Sequence, residues 1–279
     1  MRRIHPDTTQ RIAIVWLWAL AGITLAVLLF ILGFVLVQGV PQITWSFLSE
    51  SPRSMGREGG VMPMVVGTLW VSALAVLIAA PAGVMTAVYL TEFTREGQLT
   101  RIIRFGADCL AGVPSIIFGL FGFVFFVITL RMGLSVFSGA LTLAMMILPT
   151  VVRTSEEAIR AVPRAYRDVS FGLGATRWAT VMQVVLRSAL PGIGTGVVLS
   201  IGRCISETAA VMLTAGSSLR LPASAMESTR TLALHFYTLS REGISMPKAY
   251  ATASVLILAI LVINLAAYWI MRRFVGQTR

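Results

Sequence analysis

Glu156–Ile193 reads EEAIRAVPRAYRDVSFGLGATRWATVMQVVLRSALPGI, an arginine-rich island between two long apolar runs. Upstream lies Ala140–Arg160, ALTLAMMILPTVVRTSEEAIR, and downstream Ser200–Gly216, SIGRCISETAAVMLTAG. The island is too polar to sit in hydrocarbon, yet it shows helical periodicity on both sides of Gly172-Leu173-Gly174. It therefore predicts a short helix–turn–helix outside a membrane, joining two helices inside it. Thr176 is placed to cap the second piece. The first piece carries Tyr166 and Val169 one turn apart beside Arg164 and Arg167, a surface suited to a protein partner or to the membrane face.

The composition agrees. Of 279 residues, 56% are hydrophobic and 13% charged, against roughly 25% charged in soluble domains. With a mean hydropathy of +0.82, a soluble enzyme and a disordered chain are both excluded. Six apolar runs reach the ~20 residues needed to span hydrocarbon: Ile12 to Val37, about Met62 to Tyr89, Ile102 to Leu130, Ser138 to about Arg160, about Val184 to Ala215, and about Ala249 to Met271. The first is too long for a signal-peptide core. The expected fold is an all-α, polytopic membrane protein with one transmembrane domain over 1–279.

The net charge of +11 would suggest nucleic acid if it formed one stripe. Here the arginines punctuate the apolar runs. With the N-terminus inside, Arg2, Arg3, Arg11, Arg95, Arg101, Arg104, Arg160, Arg164, Arg167, Arg177, Arg187, Arg272, Arg273 and Arg279 fall inside. Arg53, Arg57, Arg131, Arg220, Arg230, Arg241 and Lys248 fall outside. The positive-inside bias then puts both termini in the cytoplasm and the 161–183 loop with them. Cys109 and Cys204 stand singly in apolar surroundings and read as packing residues.

Two basic residues remain inside spans, Arg153 and Arg203. A charge in hydrocarbon costs several kcal/mol and normally has a partner. Spacing offers Glu156 or Glu157 to Arg153 at i+3 or i+4, and Glu207 to Arg203 at i+4. Gly192, Gly196, Ser200, Arg203 and Glu207 follow one helical stripe, as expected where a helix lines a pathway at a subunit interface. Arg153, Glu156, Arg203 and Glu207, with Glu157 as a weaker candidate, read either as a polar pathway or gate or as structural ion pairs. Pro81, Pro114, Pro149 and Pro191 predict bent helices, most clearly at Gly112-Val113-Pro114-Ser115.

The island resembles the loop of ATP-driven importer permeases, whose pattern is E-A-A-x3-G-x9-I-x-L-P. Here it runs Asp168-Val169-Ser170, three residues to Leu173, Gly174, nine residues to Gln183, then Val184-Val185-Leu186-Arg187. Ser170 replaces the second alanine and Arg187 the proline. Gly59-Gly60-Val61-Met62-Pro63 through Gly67-Thr68-Leu69, Gly112–Ser115 through Phe118-Gly119, Leu148–Thr154 and Ser206-Glu207-Thr208-Ala209 resemble the phosphate-specific (Pst) permeases, PstA type. Ser206 and Ala210 depart from that pattern.

The resemblance implies a type I importer permease fold and an ATPase-coupling role for Tyr166, Asp168, Val169, Ser170, Gly174 and Arg177. It implies a PstC-like sister permease, a homodimeric PstB-like ATPase and a PstS-like phosphate-binding protein as partners, in the bacterial cytoplasmic membrane, with no nucleic acid. No catalytic or metal-binding residue and no cofactor is expected in this chain, ATP and Mg being held by the partner ATPase. There is no G-x-x-x-x-G-K-[ST] loop, and His5 and His235 lie in the N-terminal tail and an outer segment. A sulfate or molybdate permease is the alternative within the class; a passive channel or scaffold is the alternative outside it. The mixed charges of Ser217–Lys248 and Gln38–Gly60 suit reversible docking of the binding protein, or plain solvation.

Overall fold

A computed structural model of the chain describes residues 6–276; the tail with Arg2, Arg3 and His5, and Arg279 at the other end, lie outside the described residues. Twelve α-helices follow in order among the described residues: α1 Pro6–Gly39, α2 Trp45–Ser49, α3 Met62–Val88, α4 Gln98–Ala111, α5 Ser115–Gly122, α6 Val136–Arg160, α7 Arg164–Gly172, α8 Arg177–Thr180, α9 Leu186–Ser206, α10 Ala209–Thr214, α11 Leu232–Arg241 and α12 Met246–Gly276. A two-residue hairpin, β1 Pro52–Arg53 paired with β2 Glu58–Gly59, covers the end of the bundle opposite the island.

Five continuous helices are long and apolar enough to cross a membrane, and α4 with α5 adds a bent sixth. The third expected span is thus corrected. Rather than one helix from Ile102 to Leu130, α4 and the α5 segment through Thr129 meet at 100°. The cause is local: Pro114 has no amide to donate and takes the extended ψ of 139° at the start of α5. Pro81, Pro149 and Pro191, by contrast, lie within continuous helices.

The fifth span is corrected at both ends. Helix runs unbroken from Arg177, through a π turn at Val181–Val185, to Ser206. The second piece of the island is therefore the beginning of the span. Arg187, unlike the family's proline, keeps the amide needed to carry the helix through. At the other end the helix stops before Glu207 instead of reaching Ala215.

The bundle centre is built from small side chains. Val71, Ala75 and Ala79 of α3 meet Ala140, Leu143, Ala144 and Ile147 of α6, joined by Ala210 and Val211 of α10. A second cluster at the island end combines Ala87 and Val88, Ile159 and Val162, and Val181, Val185 and Ala189. Small residues let backbones approach where lipid provides no hydrophobic drive between helices. α1 stands largely clear, touching α12 through Phe34 and Tyr250 (5.9 Å, edge on) and a Ser254–Val35 hydrogen bond of 3.2 Å.

Candidate translocation route and coupling loop

The bend at Pro114 carries α4 across the island end of α6. On α6, residues 153, 156, 157 and 160 share a face by the i+3/i+4 rule. On α4, Arg104 and Asp108 do the same. Glu156 Oε1 accepts from Arg104 Nε at 2.6 Å and from Arg160 Nη2 at 3.0 Å. Arg153 donates to Asp108 and lies 3.8 Å from Glu157. Of the two partners the spacing offers Arg153, the structure takes Glu157 at i+4, adds Asp108 of α4, and turns Glu156 to Arg104 and Arg160 instead. The sequence marks the bend at Gly112–Ser115 but not its direction, so it does not show that Arg104 and Asp108 are brought against α6. These six charged side chains line a cavity of about 240 Å³.

On α9 the outcome differs. Arg203 is exposed, and its guanidinium has no hydrogen bond or ion pair among the described residues. Glu207 is extended (φ −73°, ψ 133°), so the i+4 relation that would join it to Arg203 does not exist. Its Oε1 accepts instead from the amides of Thr208 (3.2 Å) and Ala210 (3.3 Å), capping the helix that follows the break.

Two members of the small-residue stripe, Gly192 and Gly196, pack against α6 within the chain. A Cβ on Gly192 would lie 2.6 Å from Ala158 Cβ, and one on Gly196 would collide with Thr154. That antiparallel register sets Arg203 level with Ile147, near the middle of α6, which runs from Val136 to Arg160. Arg153 lies about 9 Å away along the axis, at ~1.5 Å per residue. The four residues occupy two levels.

The island folds as α7, a left-handed turn and α8. Gly174 has φ +83° with nothing near its missing Cβ, a conformation that costs an L side chain about 1–2 kcal/mol. Thr176 accepts from the Ala179 amide at 3.3 Å, the cap expected from the sequence. Ser170 is buried and shares a 2.8 Å hydrogen bond with Thr180, joining the two pieces. Tyr166, Asp168, Val169, Phe171 and Leu173 are exposed, Leu173 at 84%. Arg177 donates to the Glu92 carbonyl and stacks over Phe93 at 5.4 Å.

At the opposite end, Arg230 and His235 are 6% and 1% exposed, and Arg230 Nη1 and His235 Nδ1 have no hydrogen-bond partner. Burial lowers the Arg230 pKa, partly offset by Glu242. Burial, with Arg230 adding to it, lowers that of His235 from 6.5 to about 4. Lys248 sits 4.6 Å over the Phe47 ring and donates to Gly59 O at 3.4 Å. Arg230 and Lys248 are thus engaged inside, and the expected docking charges reduce to others such as Arg53, Arg220 and Arg241.

The family described as the inner membrane component of binding-protein-dependent transport systems matches residues 79–279. This chain belongs to that family. It is a multi-pass inner-membrane permease of an ABC importer. It is 33% identical over 267 residues to the probable ABC transporter permease protein YqgI of Bacillus subtilis, with 90% of each chain covered. It is 39% identical over 224 residues to the phosphate transport system permease protein PstA 1 of Mycobacterium tuberculosis, covering 79% of this chain and 73% of that one. The fold matches a bacterial ABC transporter importing alginate (TM-score 0.65, 16% identity, 96% and 99% covered) and the MetNI methionine transporter (TM-score 0.64, 20% identity, 77% and 95% covered). These place the importer permease in the type I fold.

Proposed function

We propose that this permease is the PstA-type subunit of an ATP-driven importer moving inorganic phosphate into the cytoplasm. The observation that carries the reading is Arg203, an arginine in the last turn of α9, level with the middle of α6, whose guanidinium has no partner among the described residues. A multiply charged anion needs a cationic donor where it sheds water, and a planar guanidinium bonds oxyanion oxygens in pairs. Arg153, about 9 Å further in at ~1.5 Å per residue and held by Asp108 and Glu157, forms the next level of the route with Glu156 one turn beyond; conduction requires release there as well as capture. The likeness to PstA 1 of M. tuberculosis supports phosphate over other oxyanions.

In this reading the island end and both termini are cytoplasmic, and the exposed surface of α7 docks on a PstB-like ATPase that holds ATP and Mg. A PstC-like sister completes the pathway, and a PstS-like binding protein delivers phosphate to the opposite face. The test is uptake by the reconstituted complex with competing oxyanions. Phosphate accumulates only with ATP, and excess sulfate or molybdate leaves the rate unchanged. Accumulation of sulfate or molybdate in place of phosphate moves the permease to that substrate; uptake without ATP makes it a channel.

A further inference from the structure

Glu92, in the π turn that ends α3, is the meeting point of three elements. Arg167 of α7 donates to its Oε1 from Nη2 at 2.6 Å, and from Nε to both oxygens at 3.2 and 3.4 Å. The same guanidinium donates to the carbonyls of Val162 (2.8 Å) and Ile159 (3.1 Å), where α6 ends. Arg177, the first residue of α8, donates to the Glu92 backbone carbonyl, and Trp178 rests 6.0 Å from the ring of Phe93.

This pair is among the most shielded at this end. The side chains of Arg167 and Glu92 are 17% and 12% exposed, against 29% and 11% for Arg104 and Glu156 and 60% and 51% for Arg153 and Asp108. A shielded, forked pair is both stronger and more tightly oriented than an exposed one, and salt screens it less. The apolar contacts beneath, Val181, Val185 and Ala189 against α3 and α6, resist separation but not sliding, because burial is non-directional. Among the described residues, Arg167 alone joins Glu92 at the end of α3 to the carbonyls that end α6. Neither residue belongs to the exposed surface of Tyr166, Val169 and Leu173.

We infer that Glu92 and Arg167 are the joint that passes movement of the loop helices into α3 and α6, a positioning pair for energy coupling that takes no part in holding the ATPase. The inference rests on the reading of α7 as the ATPase-docking helix. The adjoining charges Glu96, Arg160, Arg164 and Asp168 line a cavity of about 440 Å³ beside the joint and give it room to tilt as a unit.

The test uses the full complex with its ATPase and binding protein. Glu92→Gln, Arg167→Gln and the double variant are compared by substrate transported per ATP hydrolysed, with complex yield and cross-linking of a Leu173→Cys loop to the ATPase measured in parallel. Each single change lowers the ratio about tenfold, in the usual range of coupling energies, with yield and cross-linking as in the parent. The double variant falls no lower than the worse single one, since one joint breaks only once. Glu92→Asp, which keeps the charge but lengthens the bond, gives an intermediate ratio; it decides the matter if a Gln variant does not assemble. An unchanged ratio in Glu92→Gln or Glu92→Asp overturns the joint, as does a multiplicative loss in the double variant. Absence of the Leu173→Cys cross-link in the parent complex instead overturns the docking reading, and the joint falls with it.

Discussion

At the island end of the bundle Arg104, Arg153, Arg160 and Arg167 each meet a carboxylate, whereas Arg203, level with the middle of α6, and Arg230 at the opposite end form no ion pair among the described residues. Arg104 and Arg160 share Glu156, Arg153 joins Asp108 and Glu157, and Arg167 forks onto Glu92. A network whose charges satisfy one another holds helices in a fixed relation. Arg203 keeps its guanidinium free of the described residues, whereas Arg230 is buried and spends its Nε on the Ser217 carbonyl at 3.1 Å. In the proposed reading the paired end carries coupling and Arg203 meets the transported anion.

The largest test of that contrast is the buried, unpartnered His235. Burial, with Arg230 adding to it, pushes its pKa in the folded protein down to about 4 from the ordinary imidazole value of 6.5. The unfolded chain therefore binds the proton first as pH falls. Stability is complete above pH 6.5, declines from there toward 4, and levels off below. The total is roughly 3 kcal/mol. Thermal unfolding of the purified permease between pH 7 and 4 shows that decline, and His235→Gln removes this part of it. A parent profile flat over the window means that His235 has an acceptor, and the contrast fails at its most buried point.

Next in size, Arg203→Gln and Arg153→Gln separate the two levels of the route. Loss of the unpaired Arg203 lowers uptake by about tenfold or more, the worth of a charge-assisted contact, with complex yield unchanged. Arg153→Gln, in an exposed pair worth under ~1 kcal/mol, lowers it only a few-fold. Equal losses would make the two levels one site. Glu156→Gln then probes the paired end: it leaves Arg104 and Arg160 facing an uncharged amide and lowers the unfolding free energy by about 1–2 kcal/mol, less than a fully buried pair because Arg160 is half exposed. An unfolding midpoint equal to the parent's denies the network its holding role.

The smallest effect refines the part played by Glu207. Glu207→Ala removes the cap and destabilises by about 1 kcal/mol, whereas Glu207→Gln keeps the acceptor oxygen and unfolds like the parent. If Glu207→Gln nonetheless lowers uptake with normal yield, the carboxylate acts through its charge on the route as well as through the cap.

Much of the fold is legible in the chain. The apolar runs, the left-handed Gly174 and the Thr176 cap follow from local rules, because lipid demands complete helices and a turn demands particular backbone angles. The exposed loop surface is equally readable from Tyr166, Val169 and Leu173. The charge pairs are not. Arg153 and Glu156, and Arg203 and Glu207, carry the same i+3 or i+4 signature, yet the first two take different partners and the second two none in common.

The sequence alone therefore determined how many times the chain approaches the membrane core, which segment lies outside it, and that Arg153 and Arg203 stand within spans. Spacing offered Arg153 its i+4 partner Glu157; the tertiary structure added Asp108, took Glu156 to Arg104 and left Arg203 without Glu207. The 100° turn at Pro114 brings Arg104 and Asp108 across α6, and the break at Glu207 cancels a helical spacing that exists only while the helix continues. Spacing along a helix fixes which side chains share a face; which helix arrives at that face depends on the path of residues far away in the chain.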